Sequence, residues 1–254
     1  MSSKTIIITG ASRGIGLAIA QFLLRAPEST NVVLLARSKA PLEELRKRHP
    51  RHVRVLNGDL ADFSMGGKAA ELAVREFGQI DGLIVNHGML PRTANVDDSD
   101  PEEWRQCFDV NFFSAVAFVK AALPALRKTK GCILFTSSGV SRSPTGGWGA
   151  YGASKAAINH LALTLGVEEA EVTSISVRPG VVDTEMQRDI RDVHVSAMKE
   201  QDAAKFLTLH KEGRLLKPEQ PGHVMAKLVL QAPRNLSGQF LDWNGKDLAA
   251  FQDS

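Results

Sequence analysis

Cysteine is nearly missing from the chain: Cys107 and Cys132 are the only two in 254 residues. Their separation fits neither a disulfide framework nor a metal-ligand pattern. Two isolated thiols of this kind are expected to be buried and free, which points to a reducing compartment, the cytoplasm, and to no bound metal. Long apolar runs are missing as well. The chain passes from Met1-Ser2-Ser3-Lys4 directly into Thr5-Ile6-Ile7-Ile8, a stretch too short for a signal-peptide core and broken at Gly10. Nothing elsewhere approaches the ~20 apolar residues that span a bilayer, so no membrane is expected as a partner. Charge of one sign is scarce too, with 31 Lys and Arg against 28 Asp and Glu, a net of +3. The densest basic run, Arg46 to Arg54, lacks interleaved aromatics and any recognisable module, so it reads as a solvated helix end and nucleic acid is not expected as a partner. Tyrosine is rarest of all: Tyr151 stands alone.

What is present is an alternation. Short runs rich in Ile, Val and Leu occur at Thr5–Thr9, Val32–Ala36, Val53–Leu56, Leu83–Val85, Cys132–Thr136, Ser174–Val177 and Gln239–Trp243. Most lack polar/apolar alternation, as strands buried on both faces of a parallel sheet do. Between them lie helical patterns at about 15–26, 41–49, 65–77, 101–127, 149–170 and 218–232. The expected fold is therefore α/β, a doubly wound parallel sheet of about seven strands with helices on both faces. No linker or shift of composition divides the chain, so residues 1–254 are expected to form one domain. The segment 183–218, with helical patterns at Thr184–Arg191 and Gln201–His210 but no strand, is an insertion after the sixth strand. At the carboxyl end of a strand it lies beside the ligand crevice of this architecture, where a substrate lid belongs.

Directly after the first strand comes Thr9-Gly10-Ala11-Ser12-Arg13-Gly14-Ile15-Gly16. Glycines there permit a tight turn and let the backbone approach a pyrophosphate, while the next helix aims its free N–H groups at the phosphates. The turn marks the chain as a dinucleotide binder, with Gly10, Ser12, Arg13, Gly14, Ile15 and Gly16 as candidate contacts. Its spacing is G-x-x-x-G-x-G, not the commoner G-x-G-x-x-G. Where NAD-binding folds carry a carboxylate for the ribose diol, the second strand here ends in Ala36-Arg37. Arg37 and Arg13 converging on the adenosine ribose would bind a 2′-phosphate, so NADP(H) is the expected cofactor.

Tyr151-Gly152-Ala153-Ser154-Lys155 reads on its own either as a surface helix with a half-buried tyrosine and a solvated lysine or as a stretch with chemistry in it. On a helix Tyr151 and Lys155 share a face one turn apart, and the ammonium favours the phenolate. Bringing a phenol from ~10 to neutrality needs roughly 4 kcal/mol of differential stabilisation, to which a lysine in a dry pocket contributes.

Taken together, Thr9–Gly16, Tyr151 to Lys155 and Pro179-Gly180 resemble the short-chain dehydrogenase/reductase family in its classical size class, over nearly the whole chain. Asp109 to Ser114 and Pro179 to Arg191 are similar in particular to sepiapterin-reductase-like enzymes and fungal benzil reductases. The resemblance implies further roles. Asp59-Leu60 is similar to the acidic segment that contacts adenine. Asn86-His87-Gly88 resembles the family's Asn-Asn-Ala-Gly, with Val85 and His87 as departures; His87 is either a substrate contact or a structural histidine. Asn111 is similar to the catalytic-helix asparagine that kinks its helix and holds a water linking the lysine, here Lys155, to solvent. Ser138, thirteen residues before Tyr151, resembles the serine that hydrogen-bonds the substrate oxygen, with Ser137 as the alternative. Pro179-Gly180-Val181-Val182-Asp183-Thr184 resembles the nicotinamide-binding turn, in which Val182 and Thr184 hold the carboxamide.

The implied activity is NADPH-dependent reduction of a ketone or diketone, reversibly, with Tyr151 as proton donor in a tetrad with Ser138, Lys155 and Asn111. Val140, Trp148, Met186 and the lid around Met198 to Leu209 are the candidate pocket walls, suited to a hydrophobic or aromatic carbonyl compound. The competing class is a non-catalytic NADP(H)-binding redox sensor, which would be expected to lack the tyrosine or the lysine. Pairing of the helices at 101–127 and 149–170 across a two-fold axis, as is common in this family, implies a homodimer or homotetramer.

Overall fold

The computed structural model describes residues 3–25 and 30–253. Seven strands, β1 (Thr5–Thr9), β2 (Asn31–Ala36), β3 (Val53–Asn57), β4 (Gly82–Val85), β5 (Cys132–Thr136), β6 (Thr173–Arg178) and β7 (Phe240–Asp242), form one sheet in the order β3-β2-β1-β4-β5-β6-β7. Every neighbouring pair is parallel. The unalternating apolar runs follow from burial on both faces. In β1, Ile6 and Ile8 join one core with Ile19 and Leu23, while Ile7 joins the other with Phe118 and Ile158. Strands β2 and β5 divide in the same way, Val32 and Leu134 against Val33 and Ile133. Fully burying each such side chain contributes ~1.5–3 kcal/mol, so both faces must be covered.

Helices supply the cover. The first core lies under α1 (Gly14–Arg25), α2 (Lys39–Arg48) and, late in the chain, α9 (Glu219–Gln231). The second lies under α3 (Ser64–Phe77), α5 (Ser114–Thr129) and α6 (Gly149–Glu168). The last predicted residue of the first helix, 26, falls outside the described residues. The basic run leaves α2 as expected, with Arg46, Arg48 and Arg54 paired to Glu43, Glu44 and Glu76.

The predicted helix 101–127 is not uniform. Asp100 caps α4 (Pro101–Phe108) by accepting from the Glu102 N–H, and Pro101 begins the helix where no backbone donor is needed. The chain then widens into a π turn, Asp109–Phe113, before α5. By length and composition the whole stretch Pro101–Thr129 could cross a membrane, which a search for uninterrupted apolar residues misses. Its apolar side chains are instead divided between the second core, through Phe118, Val119, Ala122 and Leu126, and an exposed face.

After β6 the chain forms α7 (Glu185–Asp189), a second π turn (Ile190–His194) and α8 (Glu200–Lys211). The two ends of this excursion are tied together, since Asp183 N–H donates to Leu216 O (2.8 Å) and Leu216 N–H to Val181 O (3.0 Å). Strand order reverses between β1 and β4, so the crevice at their carboxyl ends is where a ligand fits, and the excursion lies beside it.

Candidate active site

The crevice floor is the turn after β1. Gly10 has φ +64°, and a Cβ there would come within 3.0 Å of His87 Cα, so only glycine lets β1 and β4 close up at this point. A Cβ on Gly16 would sit 2.3 Å from Gly10 O, which forces the turn to stay tight against α1. Ser12 and Ile15 are half-buried in the turn and Arg13 is exposed. The first turn of α1 thereby points its free backbone N–H groups into the crevice, as an anion site requires. Asn86 locks the floor from beneath. Its Nδ2 donates to Thr9 O and Gly10 O (both 3.3 Å), and its Oδ1 accepts from Thr136 Oγ1 (3.0 Å), joining β1, β4 and β5.

On the rim, Arg37 is exposed at the end of β2, its carbonyl held by Asn57 Nδ2 at 2.6 Å. Arg13 carries an ion pair with Glu185, the first residue of α7. Sequence reasoning placed Arg13 on the ribose phosphate and assigned no role to Glu185; in the cofactor-free chain they are partners. Asp59 caps its own turn by accepting from Ala61 N–H (3.0 Å), with Leu60 buried in the second core. On the far side Thr184 Oγ1 accepts from Gln187 N–H, capping α7, and its methyl lies against Gly14. Gly180, at φ +79°, turns the chain from β6 into Val181 and Val182.

The chemical cluster lies beyond β4 and β5. Tyr151 (8% exposed) and Lys155 (4%) share the buried face of α6. Lys155 Nζ lies 5.8 Å from the phenol ring centre and donates to Thr136 O (2.9 Å). Of its three donors, others remain for ribose hydroxyls, so the residue fits a nicotinamide cofactor. Ser138 is half-buried at the end of β5 with its hydroxyl beside the phenol. Ser137 is spent elsewhere, donating to Asn159 Oδ1 (2.6 Å). Asn111 sits at the centre of the π turn. Its Oδ1 accepts from Met89 N–H (2.8 Å), and its Nδ2 reaches Met89 O (3.0 Å) and Ser154 Oγ (3.0 Å). A Cβ on Gly88 would meet Asn111 Oδ1 at 3.3 Å and Lys155 Nζ at 3.4 Å, so glycine there leaves the space beside both polar atoms open.

The electrostatics differ from the sequence expectation in one respect. Burial pushes the phenol of Tyr151 up to about 12, against a smaller downward pull from the Ser138 hydroxyl. Lys155 was expected to lower it; instead burial lowers the lysine itself to about 8, and its hydrogen bond goes to Thr136. His87 is also resolved. Its ring is turned into the core, with Nδ1 2.7 Å from Thr9 Oγ1 and Nε2 2.7 Å from Ser114 Oγ. Because Ser114 donates to Val110 O (2.6 Å), it accepts from His87 Nε2–H; the neutral ring's Nδ1 then takes the Thr9 hydroxyl proton at 2.7 Å in preference to Ile84 O, which lies farther off at 3.2 Å. Burial, with Lys155 nearby, lowers this histidine to about 3, so it is a neutral strut joining β1, β4 and α5.

Above the phenol is a third apolar cluster. Trp148 stands edge-on to Tyr151 (centroids 6.0 Å, 90°) and stacks on Phe206 of α8 (5.4 Å, 29°). Ile190, Leu90, Val140, Val181, Met186 and Met198 complete it. The structure thus gathers Val140, Trp148 and Met186 around Tyr151. Phe206 and Met198 come from the segment 198–209 expected as a wall, whereas Ile190 and Leu90 were not singled out from sequence, because nothing local distinguishes an apolar residue facing a pocket from one facing a core.

Comparison with known proteins agrees with the fold. The family model described as short chain dehydrogenase matches residues 4–194. An oxidoreductase of Saccharomyces cerevisiae is 41% identical over 250 residues, covering 98% of each chain. Benzil reductase ((S)-benzoin forming) of the same yeast is 39% identical over 262 residues, covering 98% of this chain and 99% of that protein. The crystal structure of a short-chain dehydrogenase/reductase from Saccharomyces cerevisiae matches with a TM-score of 0.96 at 40% identity, covering 99% of this chain and all of the other.

Proposed function

The chain belongs to the short-chain dehydrogenase family of oxidoreductases, and from that premise we propose that it is an NADPH-dependent carbonyl reductase acting on hydrophobic ketones or vicinal diketones. The observation that carries the reading is the convergence of Ser138, Tyr151, Lys155 and Asn111 beneath an apolar, aromatic cluster at the carboxyl end of the sheet. When bound, the nicotinamide group supplies the hydride. The protein supplies the proton and the geometry. Tyr151 donates its phenolic proton to the carbonyl oxygen as that oxygen gains charge, and Ser138 donates a hydrogen bond to the same atom. Lys155 uses its spare donors to hold the ribose hydroxyls, and Asn111, fixed by Met89 on both sides of its amide, keeps the path to solvent beside the lysine.

Gly10, Ser12, Arg13, Gly14, Ile15 and Gly16 hold the pyrophosphate, with Asn86, His87 and Gly88 forming the floor. Asp59 and Leu60 flank the adenine, and Val182 and Thr184, after Pro179-Gly180, hold the carboxamide. Arg37 and Arg13 favour a 2′-phosphate; the absence of a carboxylate at the end of β2 supports NADP(H) over NAD(H). The segment 183–218 acts as the lid. Benzil reductase among the relatives supports an aromatic diketone as the substrate class.

The test is a spectrophotometric screen of NADPH and NADH oxidation against ketones and 1,2-diketones, with Tyr151→Phe beside the wild-type chain. NADPH-dependent turnover that drops by about a hundredfold or more in the variant is the expected result. Equal rates for both proteins with every active substrate would sink the mechanism.

A further inference from the structure

Burial of a polar group without a partner is uncommon in folded proteins and points to a ligand or water that completes it. Among the described residues the buried unpartnered side-chain atoms are three hydroxyls within β1 and β6 (Thr5, Ser174, Ser176), the indole nitrogen of Trp148 and both amide atoms of Gln187. The last two residues are different from the rest: they belong to the candidate active site. Trp148 is 5% exposed and Gln187 is 3% exposed. Trp148 shares a face-to-edge contact with Tyr151, so one small ligand can touch both rings. Gln187 lies on α7 between Met186 and Ile190, which both pack into the cluster around Trp148 and Tyr151. The cluster into which those two residues pack is otherwise apolar, with Leu90, Val140, Val181 and Met198.

An indole N–H can only donate, and a carboxamide can donate or accept. A pocket built from hydrophobic surface would have no use for either. We infer that Trp148 and Gln187 select substrates by hydrogen-bonding a second acceptor oxygen next to the reacting carbonyl, with Trp148 Nε1–H as its principal donor and the Gln187 amide beside it. The favoured class is then the 1,2-dicarbonyl compound over the simple ketone of the same size. A site that hydrogen-bonds a substrate group rejects the analogue lacking it far more strongly than an apolar pocket rejects a change of shape. The inference rests on the reading of Tyr151 as the group that meets the reacting oxygen.

The test compares benzil with the diaryl monoketone in which one carbonyl is a methylene. Two quantities are measured for wild type, Trp148→Phe and Gln187→Met: equilibrium binding to the chain loaded with oxidised NADP, and kcat/KM with NADPH. The phenylalanine keeps the ring that stacks on Phe206, and methionine keeps the length of glutamine, so thermal melting should confirm folding of both. The expected result is a diketone-to-monoketone preference that falls at least about tenfold in Trp148→Phe and to a lesser extent in Gln187→Met. An unchanged preference in both variants, or a wild-type chain that binds the two compounds equally, overturns the inference. A Trp148-dependent binding preference without turnover of either compound would leave the inference standing and remove the carbonyl-reductase reading instead.

Discussion

At the scale of single residues, Tyr151 and Lys155 are the two groups whose titration is moved furthest on the catalytic helix, and they move in opposite directions. Lys155, lowered from 10.5 to about 8, is neutral in the fold over a range where the unfolded chain is still charged. Its contribution to stability is complete above 10.5 and is lost as the pH falls through 8. Tyr151, raised from 10 to about 12, keeps its proton in the fold where the unfolded chain has lost it. That contribution is complete below 10 and is lost as the pH rises through 12. Stability of the cofactor-free chain should therefore climb between pH 8 and 10 and decline beyond, and Lys155→Met should flatten the climb. Denaturant midpoints across that range check it; parallel curves for the two proteins would contradict the burial of the lysine. With one tyrosine in the chain, ultraviolet titration reports the phenol alone. A midpoint near 12 without cofactor that moves down when NADP is bound is the outcome expected of a tuned proton donor. The pairing of Tyr151 with Lys155 was legible in their four-residue spacing. The direction of the shift was not, since it depends on how completely the two are buried, which the lid and β5 decide.

At the scale of elements, the strands were legible almost to the residue because a doubly buried parallel strand leaves an uninterrupted apolar run between turn residues. The first helix could be placed from the glycine turn that opens it. The π turn at Asp109–Phe113 has no signature in the helical periodicity, because it is stabilised from outside the helix, by Asn111 exchanging two hydrogen bonds with the Met89 backbone; only the family resemblance pointed to a kink at Asn111. The link between Arg13 and Glu185 was hidden for the same reason: the residues are far apart in sequence and meet only because the start of α7 packs against the glycine turn. That pair has a consequence for cofactor binding. Both side chains are largely exposed, so the pair itself adds little stability and is readily exchanged. On the proposed assignment of Arg13 to a ribose 2′-phosphate, Glu185 competes with that phosphate for the same guanidinium. Glu185→Gln should tighten NADPH binding several-fold at low ionic strength while leaving NADH unchanged, and the gain should vanish at about 1 M salt, where screening extends to ~3 Å. Fluorescence titrations with both cofactors measure this. Equal effects on NADPH and NADH would take Arg13 away from the 2′-phosphate and leave that role to Arg37.

At the scale of the molecule, the two cores and the lid account for most of the apolar residues, but not for those on the outer faces of α5 and α6. Phe113 and Val116 are exposed at the start of α5, and Leu163 and Val167 are exposed toward the end of α6, with Val167 the most open at 82%. Each is a β-branched or larger apolar side chain on a helix whose opposite face is packed in the second core. Single exposed apolar residues need no explanation, but four on two helices that pack against the same core are candidates for cover by a partner. A second copy of the chain related by a two-fold axis would cover it with the same surface, and burying these side chains would contribute ~25 cal/mol per Å² of apolar area removed from water. The proposed catalytic groups would gain from such a contact indirectly, because α6 carries Tyr151 and Lys155 and the π turn ahead of α5 carries Asn111. The expected outcome is a homodimer or homotetramer in sedimentation equilibrium. Val116→Asp combined with Val167→Glu should shift it toward the monomer, with thermal melting lowered and made less dependent on protein concentration. A wild-type chain that sediments as a monomer at micromolar concentration, or a double variant of unchanged mass, would show that these helices face only water.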